Sequence, residues 1–108
     1  MKIKPTDKTE DLYKAILLLV DMEEAKRFFR DLLTEDEISE FGNRFRVARM
    51  LNEEIPYSKI TEDTKMSSTT VARISKWLHQ GMDGYKMMLV KIEQEHHHNF
   101  SPVEKGLR

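Results

Sequence analysis

The chain has 108 residues, 39% of them apolar and 34% charged, with a net charge of −1 and no cysteine. That is one domain's worth of sequence with a polar, soluble balance, and it excludes a disulfide frame or a thiolate metal site. The longest apolar run, Ala15 to Val20, is far shorter than the roughly 20 residues a membrane helix needs.

The opening stretch "MKIKPTDKTE" has no apolar run suited to a signal peptide, so a cytoplasmic setting with no membrane partner is expected. Leu12, Ile16, Leu19 and Val20 then recur at i, i+4, i+7 and i+8, a helical stripe that Tyr13 and Leu17 widen. Phe28, Phe29, Leu32 and Leu33 form a second apolar cluster. Together they make a helix pair with more apolar surface than a small monomer buries.

"LTEDE" starts the next helix. Thr34 with Glu37 three residues on is a capping box, and three acids in the first turn suit the helix dipole. The helix is expected to run to about Asn52, with Ile38, Phe41, Phe45 and Ala48 on one face. Gly42 inside it costs about 1 kcal/mol against Ala, so it is expected to mark close packing of another backbone. Pro56 then opens a short helix from Tyr57 to about Thr64, with Ile60 inward. A turn follows at Lys65–Ser67. Ser67 or Ser68 caps a helix that runs to about Gln80 and ends at Gly81. Asp83 caps a last helix carrying Tyr85, Met88, Leu89 and Ile92. The periodicity is lost after Gln94. The expected organisation is all-α and six-helix: a single helical domain over 1–95 and a flexible tail over 96–108, with no strand alternation and no internal repeat.

Charge is unevenly spread. Residues 1–41 hold 7 Lys/Arg against 11 Asp/Glu, residues 42–79 hold 7 against 4, and residues 80–108 hold 4 against 4. The basic middle third coincides with the short helix, turn and helix of 57–80, which have the plan of a helix-turn-helix. Val71, Ile74 and Leu78 point inward at helical spacing. Ser68, Thr69, Ala72, Arg73 and Lys76 then face outward, with Thr70 near the edge. Short hydroxyl side chains let a helix sit deep in the major groove, and an Arg on that face can hold guanine in a bidentate pair. Lys59, Lys65 and Lys76 are placed for phosphates. Double-stranded DNA is the expected partner. The competing reading is a helical protein–protein interaction module using the same corner.

The run "LTEDEISEFGNRFRVARML", followed by this helix-turn-helix, resembles the bacterial Trp repressor family. The shared pattern is Leu33 to Glu37, then Gly42, Arg44 and Arg46, then Tyr57 to Gln80, and the likeness covers roughly residues 33 to 92. One residue must be dropped near Glu53 to Pro56, and the first 32 residues are alike only in being helical and apolar. The resemblance implies an intertwined homodimer in which the N-terminal helices of one copy pack on the other. That would use the surplus apolar stripe. It also implies a repressor reading a palindromic operator.

The family binds tryptophan as corepressor, so the resemblance carries an effector pocket onto Thr34, Arg44, Arg73, Ile74 and Trp77. Thr34, Arg44 and Arg73 match the family's pocket residues. Ile74 stands where relatives have Gly, and Trp77 where they have Ser. A branched side chain and an indole thus occupy space a ligand would need, so L-tryptophan or another small effector is a weak expectation. The indole of Trp77 could itself stand in the vacated pocket, or simply be a core residue of the last two helices. The family's base-contacting arginine in the first helix reads Ser58, beside Lys59, so the operator sequence is not carried over.

Arg46 and Arg49 are i, i+3 neighbours, expected to pair with acids of the N-terminal third or to lie near phosphate. His96, His97 and His98 diverge by about 100° per residue on a helix and do not form a metal pair. No nucleophile–base set, zinc-protease motif or Gly-rich phosphate loop is visible, so neither an enzyme nor a resident cofactor is expected. The seven methionines read as flexible core filler.

Overall fold

The computed structural model describes residues 7–99, the side chains of 97–99 excepted. Six helices follow in order: α1 (Asp7–Leu17), α2 (Met22–Leu32), α3 (Glu35–Asn52), α4 (Tyr57–Thr64), α5 (Ser68–Gln80) and α6 (Gly84–Asn99). Every regular element among the described residues is a helix. The chain divides into two compact units, one up to Ile38 and one from Ser39.

In the first unit the break between α1 and α2 carries no Gly or Pro. It is made by caps. The N–H groups of Leu18 and Leu19 donate to the carbonyls of Ala15 and Ile16, tightening the end of α1. Asp21 Oδ1 then accepts the Glu24 N–H at 2.9 Å, and Glu24 Oε1 reaches back to the Val20 N–H at 3.2 Å. This reciprocal pair is a capping box shifted by one residue, and the hydrophobic pattern alone does not reveal it. The box at Thr34 forms as expected: Thr34 N–H donates to Glu37 Oε1 at 2.9 Å, and Glu37 N–H donates to Thr34 Oγ1 at 3.1 Å. No residue of α1 or α2, all of them described, is buried. Leu17 is 81% exposed, and Leu18 and Val20 are each 77% exposed. Of the apolar stripe, Leu12, Ile16 and Leu19 are partly covered among the described residues, whereas Leu17 and Val20 stay open.

The second unit has a closed core. Val47 and Ala48 of α3, Ile60 of α4, and Val71 and Ile74 of α5 form one buried cluster. Met50, Leu51, Ile55, Met66, Trp77 and Tyr85 pack around it. Fully burying one such aliphatic side chain contributes about 1.5–3 kcal/mol. The buried face of α3 is therefore rotated from the expected one. Val47, Ala48 and Leu51 meet α4 and α5, whereas Phe41 is half exposed. Phe45 instead reaches Tyr85 of α6, with ring centroids 6.5 Å apart. Among the described residues no atom lies within 4 Å of where a Cβ on Gly42 would stand. Nothing among the described residues requires that glycine.

α6 runs through His96 to Asn99, past Gln94 where the periodicity is lost. No Gly or Pro interrupts it after Gly84, and extending a formed helix is far easier than starting one. Residues 100–108 of the expected tail lie outside the described residues. The methionines are mostly not core filler. Among the described residues Met22, Met82, Met87 and Met88 are exposed, and Met50 and Met66 pack against the core. The reason is location: the exposed ones sit at helix ends or on outward faces.

Candidate nucleic-acid interface

The helix-turn-helix is assembled from local rules. Pro56 stands at the N-cap of α4 with φ −62°, its missing N–H costing nothing at a helix start. Thr64 is buried, and its hydroxyl donates to the Ile60 carbonyl at 2.8 Å while accepting the Met66 N–H at 3.3 Å. Lys65 ends α4 in the left-handed region, φ 64°, and its N–H donates to the Thr61 carbonyl at 2.9 Å. Ser67 is the cap of α5: its Oγ accepts the Thr70 N–H at 3.1 Å, and the two hydroxyls lie 3.0 Å apart. Five short-range bonds thus fix a turn of three residues.

A left-handed backbone suits Gly and strains Lys by roughly 1–2 kcal/mol. Gly forfeits part of that gain, about 0.5–1 kcal/mol, through its freer unfolded chain. Lys65→Gly is therefore expected to stabilise the fold by up to about 1 kcal/mol, raising the melting midpoint by roughly 4–8 °C. Thermal unfolding followed by circular dichroism reads this directly. A lower midpoint would mean that the turn is not strained.

The faces of α5 separate as the spacing requires. Val71, Ile74 and Leu78 are buried. Ser68, Thr69, Ala72, Arg73 and Lys76 are exposed, and Thr70 is half-buried beside the Ser67 cap. Lys59 on α4 and Lys65 in the turn are exposed too. One acid among them is already engaged: Asp63 Oδ2 holds Arg46 Nε at 2.8 Å, joining α4 to α3. This partner of Arg46 was not legible from spacing, because the two residues are 17 apart in sequence. Its pairing departs from the expectation of an acid in the N-terminal third. Arg44 does pair there, with Glu40 on its own helix at 3.3 Å.

The five effector positions are distributed as follows. Thr34 belongs to the first unit, where its hydroxyl caps α3. Arg44 lies 5.7 Å over the Phe41 ring. Burial pushes the Tyr85 phenol above its ordinary range, against the opposing charge of Arg44, so it is neutral at pH 7. Arg73 is exposed, Ile74 is buried in the core, and Trp77 packs half-buried against that core. Among the described residues no three His, Cys, Asp or Glu side chains converge on a metal position. No helix among them is long and apolar enough to cross a membrane.

Residues 7–93 match the family model described as Trp repressor protein. The match thus reaches back through α1 and α2, where helical and apolar character was all the sequence pattern had in common. A protein of Bacillus subtilis (strain 168), the uncharacterized YerC, is 41% identical over 85 residues, covering 79% of this chain and 82% of that one. Among solved structures, a TrpR-like protein from Eubacterium eligens ATCC 27750 superposes with a TM-score of 0.79 at 40% identity, over 82% of this chain and 91% of that one. A candidate Trp repressor from Staphylococcus aureus has a TM-score of 0.79 at 32% identity, over 82% and 89% of the two chains.

Proposed function

The chain belongs to the Trp repressor family, and from that premise we propose that it is a sequence-specific DNA-binding transcriptional regulator, a repressor that reads a palindromic operator as a homodimer. The observation that carries this reading is the exposed face of α5. Ser68, Thr69, Ala72 and Arg73 are small or hydrogen-bonding side chains on one side of a helix whose other side is fixed in a core. That is what a helix must offer to enter a major groove and touch base edges. Lys59, Lys65 and Lys76 surround it with positive charge suited to phosphates.

Dimerisation is supported by the first unit. A helix pair with Leu17, Leu18 and Val20 open to water is stable only when another surface covers it. An open depression on α3, lined by Ser39, Gly42, Asn43, Arg46 and Met50 among others, offers a second place for close approach. Two copies related by a two-fold axis would set their recognition helices about 34–36 Å apart, one turn of DNA. In such an assembly the two units of each chain act as one DNA-binding domain.

Selection of duplexes from a random pool by the purified protein tests the reading. A palindrome with half-sites roughly 10 base pairs apart is expected. Affinity should fall steeply as salt rises, because each neutralised phosphate releases counterions. Lys76→Ala should lower affinity evenly across sequences and reduce the salt slope by about one. Selection without enrichment, together with heparin retention indifferent to Arg73 and Lys76, would favour the protein-interaction module instead.

A further inference from the structure

We infer that the DNA-reading helices are held in register on α3 by the chain's own side chains, Trp77 and the Arg46–Asp63 pair, so that DNA binding needs no small effector. The inference rests on the DNA-binding reading and concerns how that site is controlled. Both reading helices are anchored to one turn of α3, residues 46 to 48. α4 is held there by Ile60 against Val47 and Ala48, and by Asp63 on Arg46 at 2.8 Å. α5 is held by Val71 and Ile74 in the same cluster, with Trp77 packed against it.

The α3–α5 contact is already filled. Val47, Ala48, Ile60 and Val71 are 0% exposed and Ile74 is 1% exposed. A ligand entering between these helices would have to displace Ile74 or Trp77, and closely packed interiors resist such displacement. The end of α5 is fixed at the same point. Gly81 N–H donates to the Trp77 carbonyl at 2.9 Å. A Cβ on Gly81 would collide with that carbonyl, so the chain must turn away there with glycine. The Trp77 backbone thus closes the end of α5, while its indole packs against the core cluster.

Arg46 and Asp63 are both partly exposed, and an exposed pair contributes little to stability. Its consequence is geometric: it ties α4 to α3 at a second point beside the buried Ile60. Arg46 and Trp77 are positioning residues, with neither of them on the outward face of α5.

The test uses the full chain and a duplex selected as above. Specific affinity is expected to be the same with and without millimolar L-tryptophan, and titration of L-tryptophan into the protein without DNA should show no saturable binding. Arg46→Asp should weaken specific binding about tenfold, the scale on which residues outside a site act. Adding Asp63→Arg to Arg46→Asp should restore it. Trp77→Ala should weaken binding comparably, and Trp77→Phe should recover it. The inference is overturned if L-tryptophan tightens DNA binding, or if Arg46→Asp binds like wild type. The Arg46 arm remains decisive if Trp77→Ala does not fold. A wild-type protein that binds no duplex would sink the DNA reading and this inference with it; tightening by L-tryptophan would sink the inference alone.

Discussion

Arg73→Ala is expected to weaken specific DNA binding by about 1–3 kcal/mol and to relax sequence preference at one position of each half-site. Arg73 stands on the exposed face of α5, one turn beyond Thr69 and next to the small Ala72. Short neighbours let the helix backbone approach the groove, and the guanidinium then spans the remaining distance. Its planar fork matches the two acceptors of a guanine edge, so the loss is one of discrimination as well as affinity. Arg73→Lys should recover charge but not selectivity, because an ammonium is a point donor. Fluorescence anisotropy on the selected duplex and on single-base variants separates these effects. Binding by Arg73→Ala equal to wild type on all of them would remove Arg73 from the base-reading role.

Ile74→Ala is expected to destabilise the fold by about 2–5 kcal/mol. The side chain is 1% exposed and lies among Val47, Ala48, Ile60 and Val71. Its removal leaves a void that helices joined by short turns cannot readily close. A small domain has only about 5–15 kcal/mol in total, so the variant should unfold at markedly lower urea. Ile74→Val, which removes one methylene, should cost about 0.5–1.5 kcal/mol. A loss below that range for Ile74→Ala would mean that the α3–α5 contact is looser than its burial indicates.

Much of the second unit was legible because its signals are local. Pro56, Ser67 and Gly81 each mark a helix boundary by their own local chemistry, and α4 begins, and α5 begins and ends, where those residues place them. The inward set Val71, Ile74 and Leu78 follows from helical spacing alone. The face of α3 was read less well. Phe41 and Phe45 are its largest apolar side chains, yet the helices that arrive later in the chain cover Val47 and Ala48. Spacing shows that a helix has an apolar side; it does not show which part of that side a neighbour will meet. The position of the α1–α2 break was read less well for a different reason, since the apolar stripe was followed to Val20 whereas α1 ends at Leu17. Its signal is an Asp21–Glu24 cap inside a continuous run of apolar and acidic residues, with no Gly or Pro to draw attention to it.

By itself the sequence determined six helices, the caps of α3 and α5, the outward face of α5 and the excess of apolar surface on α1. These depend on contacts within a few residues, where chemistry and spacing settle the outcome. The tertiary structure alone decided that Arg46 holds Asp63 across 17 residues of sequence, that Trp77 packs on the core with Ile74 buried beside it, and that a Cβ on Gly42 would meet nothing among the described residues. Those outcomes depend on how helices distant in sequence approach one another. That approach is set by packing many side chains at once, a sum that no single stretch of sequence contains.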